Sequence, residues 1–225
     1  MKKYLCLSKR LKCIADLVKG NVVADIGCDH AYLSIFLAIN KCKYVYATDV
    51  REKPLARAKE NIKKYGVEDK IKLILTDGLQ NVPQDVDVVI VSGMGGKLME
   101  RIVLEQDWLK DKHKQLILQP QTFLMELRQS LYLNGYEIEL EYPVVESGKT
   151  YCIISARYTG NVKRISLNDA VLGKVKDSSS KDLSAFLMLK YKKCNKILNG
   201  LRMSGLDKQK IKKYEQICDI LSEWK

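Results

Sequence analysis

The sequence predicts an α/β protein: a doubly wound, mostly parallel sheet ending in an antiparallel hairpin, with a pair of helices appended behind it. Three observations carry this expectation. Five short runs rich in Val and Ile alternate with amphipathic segments, as strands covered on both faces by crossover helices do. Two further strand-like runs meet at Ser147-Gly148 with no room for a helix between them, so they must pair antiparallel. Beyond Gly160 the composition shifts, and apolar residues recur at steps of four and three.

Taken in order, Ser8 caps a short helix in which Leu7, Leu11, Ile14 and Val18 recur at helical spacing, and Gly20-Asn21 ends it. The first strand is VVADIG (22–27), followed by a helix from about Ala31 to Asn40. The second strand is YVYATD (44–49); Pro54 opens the next helix, which runs to Lys64 and stops at Gly66. Strands follow at KIKLILTD (70–77), DVDVVIVSG (85–93) and KQLILQP (114–120), the last two leading into helices at about 96–105 and 123–134. GYEIELEYPVVES and KTYCIISARYT form the hairpin. DAVLGKV suggests a short helix and KDSSSKD a polar break. Leu187, Tyr191, Cys194, Leu198 and Leu201 form one apolar stripe; Ile211, Tyr214, Ile217, Cys218, Leu221 and Trp224 form another. A turn is expected around NGLRMSGLD, giving an antiparallel, coiled-coil-like pair. The expected division is a main domain over 1–160 and a helical domain over 161–225.

Composition narrows the function. The 225 residues are 46% hydrophobic, which supports a sizeable core and excludes a disordered chain. No apolar run approaches the roughly 20 residues that span a bilayer, and the basic N-terminus lacks the apolar core of a signal peptide, so a cytoplasmic protein is expected. Seven scattered cysteines without a CxxC pair read as reduced thiols. His30 and His113 are the only histidines, and neither has metal-ligand spacing, so no metal site is expected. The net charge of +12 is unevenly placed: 24 Lys/Arg against 20 Asp/Glu over residues 1–160, but 15 against 7 over 161–225. The first twenty residues are basic as well. Two basic flanks around a nearly neutral centre suggest a polyanionic partner, with plain solubility as the other reading.

The turn after the first strand carries the chemistry. A dinucleotide-binding turn would place small residues at 27, 29 and 31, so that a pyrophosphate reaches bare amides at a helix N-terminus. Gly27 and Ala31 suit that pattern; Asp29 does not, because its carboxylate would repel a phosphate. S-adenosylmethionine shares the adenosine of a dinucleotide but ends in an amino acid, with an ammonium group and a cationic sulfonium that favour a nearby carboxylate. A helix N-cap is the alternative role for Asp29. Asp25 lies in the first strand, Asp49 ends the second and suits ribose hydroxyls, and Asp77-Gly78 end the third and suit an adenine amine. All lie toward the carboxyl ends of parallel strands, where open α/β sheets bind ligands. The glycines of VSGMGGKLM (91–99) let a backbone approach a flat ligand, or simply turn the chain into a helix. Gln119 and Pro120 end the fifth strand beside the same cleft, where the amide reads a base edge or caps the next helix.

Together, ADIGCDHAYL, VSGMGGKLM and LILQPQ resemble the bacterial tRNA (adenine-22-N1)-methyltransferases, and LSKRL near the N-terminus and the terminal helices fit the same pattern. The resemblance covers most of residues 5–157 and, in architecture only, the C-terminal helices. It implies a Rossmann-like class I methyltransferase sheet, S-adenosylmethionine as cofactor, and an adenine in the tRNA D-loop as substrate. By the same resemblance, Asp25, Gly27, Asp29 and His30 fall in the first cofactor loop, Asp49 on the ribose, Asp77 and Gly78 on the adenine side, and Gly93 and Met94 facing the sulfonium.

Adenine N1 has an in-plane lone pair and no proton, so its methylation requires alignment more than a base, and the nucleotide must leave its stack. Asp29 and His30 are the candidate substrate contacts and stabilisers of the cationic product, with helix packing as the other reading of His30. Candidate RNA contacts are Lys9, Arg10, Gln119, Lys192 and Lys193; solvated or structural helix faces are the alternative. A methyltransferase acting on another RNA or a small molecule, and a non-catalytic RNA-binding module, are the rival functions. Asp29 and the terminal hairpin disfavour an NAD dehydrogenase. No membrane and no obligate protein partner is expected.

Overall fold

The computed structural model describes residues 5–205 and 207–224. Strands β1 (Val22–Ile26), β2 (Tyr44–Asp49), β3 (Ile71–Leu75), β4 (Val88–Gly95) and β5 (Gln115–Thr122) are parallel. β6 (Tyr136–Glu146) and β7 (Lys149–Tyr158) add the expected antiparallel hairpin, with β7 seated against β5. The order across the sheet is β3-β2-β1-β4-β5-β7-β6, so winding reverses between β1 and β4. That reversal opens a crevice at the strands' carboxyl ends.

Alternation along each strand divides the core between the two faces of the sheet. Val23, Val88 and Ile90 pack with Ile14 of α1 (Lys9–Leu17), Leu37 of α2 (Tyr32–Asn40) and Ile62 of α3 (Glu52–Tyr65). Ala24, Ile26, Val89 and Val91 face the other way, onto Ile102 of α4 (Gly96–Leu104) and Leu127 of α5 (Leu124–Leu133). Ser8 caps α1 as expected, its hydroxyl accepting the N–H of Leu11. The fourth strand starts three residues later than its sequence suggests. Asp87 is occupied instead in joining β1 to β4, its carboxylate accepting the N–H groups of Asn21 at 2.8 Å and Val22 at 2.9 Å.

Behind the hairpin come α6 (Leu167–Leu172), a 3₁₀ turn over Gly173–Asp177, α7 (Leu183–Ser204) and α8 (Lys208–Ser222). α7 runs through Asn199-Gly200 and stops only at Gly205, whose φ of +62° caps it, so the turn lies at the end of the expected window. Buried Phe186, Leu187, Cys194, Leu198, Ile217, Cys218 and Leu221 join the same cluster as Val89 and Val91, so the apolar seam of α7 and α8 is continuous with the core of the sheet. A buried ion pair anchors this region. Arg128 donates to Glu141 at 2.8 Å and to the terminal carbonyls of α6, Ala170 at 2.7 Å and Val171 at 2.8 Å, while Glu141 also accepts the N–H of Lys174. A guanidinium at a helix C-terminus is well placed against the helix dipole. No helix among the described residues is long and apolar enough to cross a membrane.

Candidate active site

The turns after β1, β2, β3 and β4 enclose a cavity of ≈ 490 Å³ at the point where the winding reverses. Asp25, Gly27, Asp29, His30, Asp49, Asp77, Gly78, Gly93 and Met94 all line it. The sequence places these nine residues in four separate segments, and the topology brings them to one crevice.

The first turn is held in an unusual shape. Asp29 and Ala31 both have positive φ, +51° and +58°, conformations that cost a non-glycine residue roughly 1–2 kcal/mol. Ala31 is the N-cap of α2 and no side chain caps that helix, so Asp29 does not serve as its cap. The Asp29 side chain stays 63% exposed, with Nε2 of His30 3.6 Å from its carboxylate. The half-buried His30 ring lies 6.1 Å from that of Tyr32, the first residue of α2, and both residues line the cavity wall. Gly27, at φ +73°, leaves room for Met94, whose terminal methyl would overlap any added Cβ.

Asp25 acts from beneath. It is 3% exposed and accepts the Ser34 hydroxyl at 2.6 Å, which ties the strand end to the first turns of α2. Burial pushes its carboxyl up to about 6, against the pull of its hydrogen bonds from Ser34. Asp49 is also buried, and its Oδ1 accepts the N–H of Arg51 at 3.0 Å. The preceding residue, Thr48, accepts the N–H of Cys28 at 2.7 Å through its carbonyl, while its hydroxyl is buried without a partner. An orphaned buried hydroxyl in a cavity wall is a place for a ligand to complete. Asp77 is engaged: Arg101 of α4 donates to both its oxygens, at 2.8 and 3.0 Å. A ligand amine reaching Asp77 would share it with that arginine.

The candidate RNA residues separate. Arg10 reaches the cavity from α1, donating to Gln119 at 2.8 Å with its guanidinium 5.5 Å from the Tyr151 ring. Gln119 is fully buried; it neither lines the cavity nor caps α5, whose N-cap is Phe123, and it touches the site only by holding Arg10. Lys9 binds the carboxylate of Asp182 at 2.5 and 2.7 Å and is absent from the cavity wall, so it ties α1 to the segment before α7. Lys192 and Lys193 are exposed on α7, away from the cavity lining. Sequence reasoning missed Thr48, Tyr32, Arg101 and Gln121. Thr48 and Gln121 stand beside or within segments already singled out; Arg101 had no local signal, since its role depends on α4 lying next to the turn after β3.

The cavity has four acidic positions, of which Asp29 is exposed beside His30 and Asp49 faces Arg51 Nε at 3.6 Å. Together with an unpartnered hydroxyl and an uncapped helix start, they suit a ligand with hydroxyl donors and a cationic amino-acid tail. A sequence family described as a methyltransferase domain matches residues 7–154. The chain belongs to this family. Among curated proteins, the tRNA (adenine(22)-N(1))-methyltransferase of Bacillus subtilis is 35% identical over 156 residues, covering 68% of this chain and 65% of that protein. The aligned part therefore spans just under two thirds of the relative. The crystal structure of the B. subtilis M1A22 tRNA methyltransferase TrmK is similar over 98% of this chain and 99% of that one, with a TM-score of 0.81 and 27% identity. M. capricolum TrmK, solved in complex with S-adenosyl-homocysteine, matches 97% of this chain and 100% of that one, with a TM-score of 0.76 and 26% identity. As a methyltransferase, the chain has its acidic strand ends and its glycine at β1 where the fold concentrates ligand contacts.

Proposed function

We propose that this methyltransferase transfers the methyl group of S-adenosylmethionine to N1 of adenine 22 in the D-loop of tRNA, in the cytoplasm. The observation that carries the reading is Asp29: an exposed carboxylate in the first turn, not used as a helix cap, which favours a cationic amino-acid tail over a pyrophosphate. The names of the B. subtilis and M. capricolum proteins support the tRNA assignment, and the basic ends of the chain support a polyanionic substrate.

In this reading Asp49 takes the ribose hydroxyls, Asp29 and the start of α2 hold the amino-acid tail, Asp77 and Gly78 flank the adenine, and Gly93 and Met94 form the wall nearest the sulfonium. When bound, S-adenosylmethionine supplies an electrophilic methyl group. The chain's own residues do the positioning. Adenine N1 needs no deprotonation, so the catalytic contribution is alignment of the base in the mouth of the cavity. Arg10, fixed by Gln119 and Tyr151, meets a phosphate there. His30, 3.6 Å from the Asp29 carboxylate, contacts the base edge, and the nearby negative charge of Asp29 offsets the positive charge that methylation leaves on the ring.

Incubation with unmodified tRNA transcripts and labelled donor, followed by mapping of the product, should place the methyl group on N1 of adenine 22. Transfer to another nucleotide, or none, overturns the reading. Asp49→Ala should weaken cofactor affinity by about 2–3 kcal/mol, or roughly 30- to 150-fold, as expected for loss of charge-assisted hydrogen bonds. Unchanged affinity removes the ribose assignment.

A further inference from the structure

A second depression lies on the other side of the β5 end. It is a groove of ≈ 400 Å³ between the turn joining β5 to α5 and the faces of α7 and α8, a volume within the roughly 300–1,000 Å³ typical of ligand pockets. Gln121 lines both this groove and the active-site cavity, so the two are adjacent. The walls are apolar, with Phe123 on one side and Ile197 on the other. Lys190, Lys193 and Lys213 also line it against one acid, Glu126, which sits 3.8 Å from Lys213.

Phe123 is the N-cap of α5, its carbonyl accepting the N–H of Leu127 at 3.0 Å. It is nevertheless 47% exposed, and its φ is +56°, a left-handed conformation rare for a bulky residue. The fold holds it there. Gly96 makes room for the turn, since an added Cβ would stand 2.6 Å from the Phe123 carbonyl oxygen. The Lys97 ammonium sits 4.9 Å from the centre of the Phe123 ring. The glycines after β4 thus serve, at Gly96, to bring the β5–α5 turn close. An exposed aromatic in a strained backbone, beside an apolar groove with cations at its edge, is the equipment for stacking a base whose phosphate is met by lysine.

We propose that the groove is a second nucleobase site: an unpaired nucleotide adjacent to the methylated one passes over Gln121 and stacks on Phe123, with Lys97 and Lys193 facing its phosphates. This rests on the tRNA reading and deepens it. A base lifted out for methylation leaves its neighbour without a stacking partner, and Phe123 replaces that partner. The apolar wall from Ile197 closes the other side.

The test is a coupling measurement with the full-length protein. Unmodified tRNA transcripts are made with an abasic residue at each position flanking the target, and their affinities are measured for wild type and for Phe123→Asn, a residue that tolerates positive φ. Wild type should lose about tenfold at one flanking position, the scale of one base–aromatic stack. Phe123→Asn should lose about as much on intact RNA and nothing further on that abasic RNA, with unchanged affinity for S-adenosyl-homocysteine. Should this variant fail to fold, Ile197→Asn must show the same coupling. Losses that simply add, or no loss in the variants, overturn the site and leave the groove to some other occupant. Methyl transfer by wild type to the intact transcript is the separate control. Its absence overturns the tRNA reading and this proposal together; its presence alongside additive losses overturns the groove alone.

Discussion

The two depressions that meet at Gln121 are opposite in character. The active-site cavity collects Asp25, Asp29, Asp49 and Asp77 in a protein whose net charge is +12, while the groove beside it is apolar with three lysines along its edge. They are also built differently. The cavity is made of turns at strand ends, fixed by backbone conformation and by hydrogen bonds such as Cys28 to Thr48 and Ser34 to Asp25. The groove is made of helix faces packed on one end of the sheet and anchored by the buried Arg128–Glu141 pair. The difference matches the proposed ligands: acids for a small cationic cofactor, lysines and an aromatic for a polyanionic chain. Local negative charge inside a basic protein keeps the two kinds of ligand in their own places.

Removing the anchor is the most damaging way to break this contrast. Arg128 and Glu141 are 1% and 0% exposed, and Arg128 also satisfies the carbonyls at the end of α6. Arg128→Met leaves Glu141 buried without its cation, which should destabilise the protein by about 3–5 kcal/mol in denaturant unfolding. A loss under about 1 kcal/mol would mean that the helical region is held by its apolar seam alone.

Asp25 tests the cavity side. Its folded pKa of about 6 lies above the ordinary 3.8, so the folded state prefers the neutral acid. Stability from this group is therefore fully present below the unfolded pKa and is lost as pH rises through 6. The difference amounts to about 3 kcal/mol at neutral pH in the ligand-free protein. Asp25→Asn removes that loss. The variant should match wild type in melting temperature near pH 4, gain progressively up to pH 6, and keep a constant advantage above it. A gap that does not widen between pH 4 and 6 would show that Asp25 ionises without penalty and is open to solvent.

The same contrast marks what the sequence made legible. The strands, their order along the chain and the cavity residues were readable because strand periodicity is short and the ligand-facing groups follow strand ends directly. The exact ends of strands were less so: DVDVVIVSG looks like a strand from Asp85, but Asp87 is used as a side-chain acceptor for β1. Side-chain partnerships across the fold could not be read. Nothing local marks Gln119 as the buried support of Arg10, Lys9 as the partner of Asp182, or Arg101 as the cation on Asp77. The glycines of VSGMGG were legible as permissive positions, yet the neighbour that Gly96 admits, the turn at Phe123, belongs to a segment 27 residues away.

The smallest expected effect separates the helices' two possible roles. Lys192 and Lys193 are exposed on α7, so replacing both with alanine should leave stability nearly unchanged. If α7 lies along the RNA backbone, each lysine lost releases about one fewer counterion on binding. The slope of log affinity against log salt should then become shallower by about 1–2 in the double variant, and affinity should fall several-fold at moderate salt. S-adenosyl-homocysteine affinity should not change, because neither lysine borders the cavity. An unaltered slope would mean that α7 and α8 only complete the core of the sheet. The phosphate contacts would then fall to cations nearer the cavity, such as Arg10 of α1 and Arg51, which line it, and Lys97 of α4.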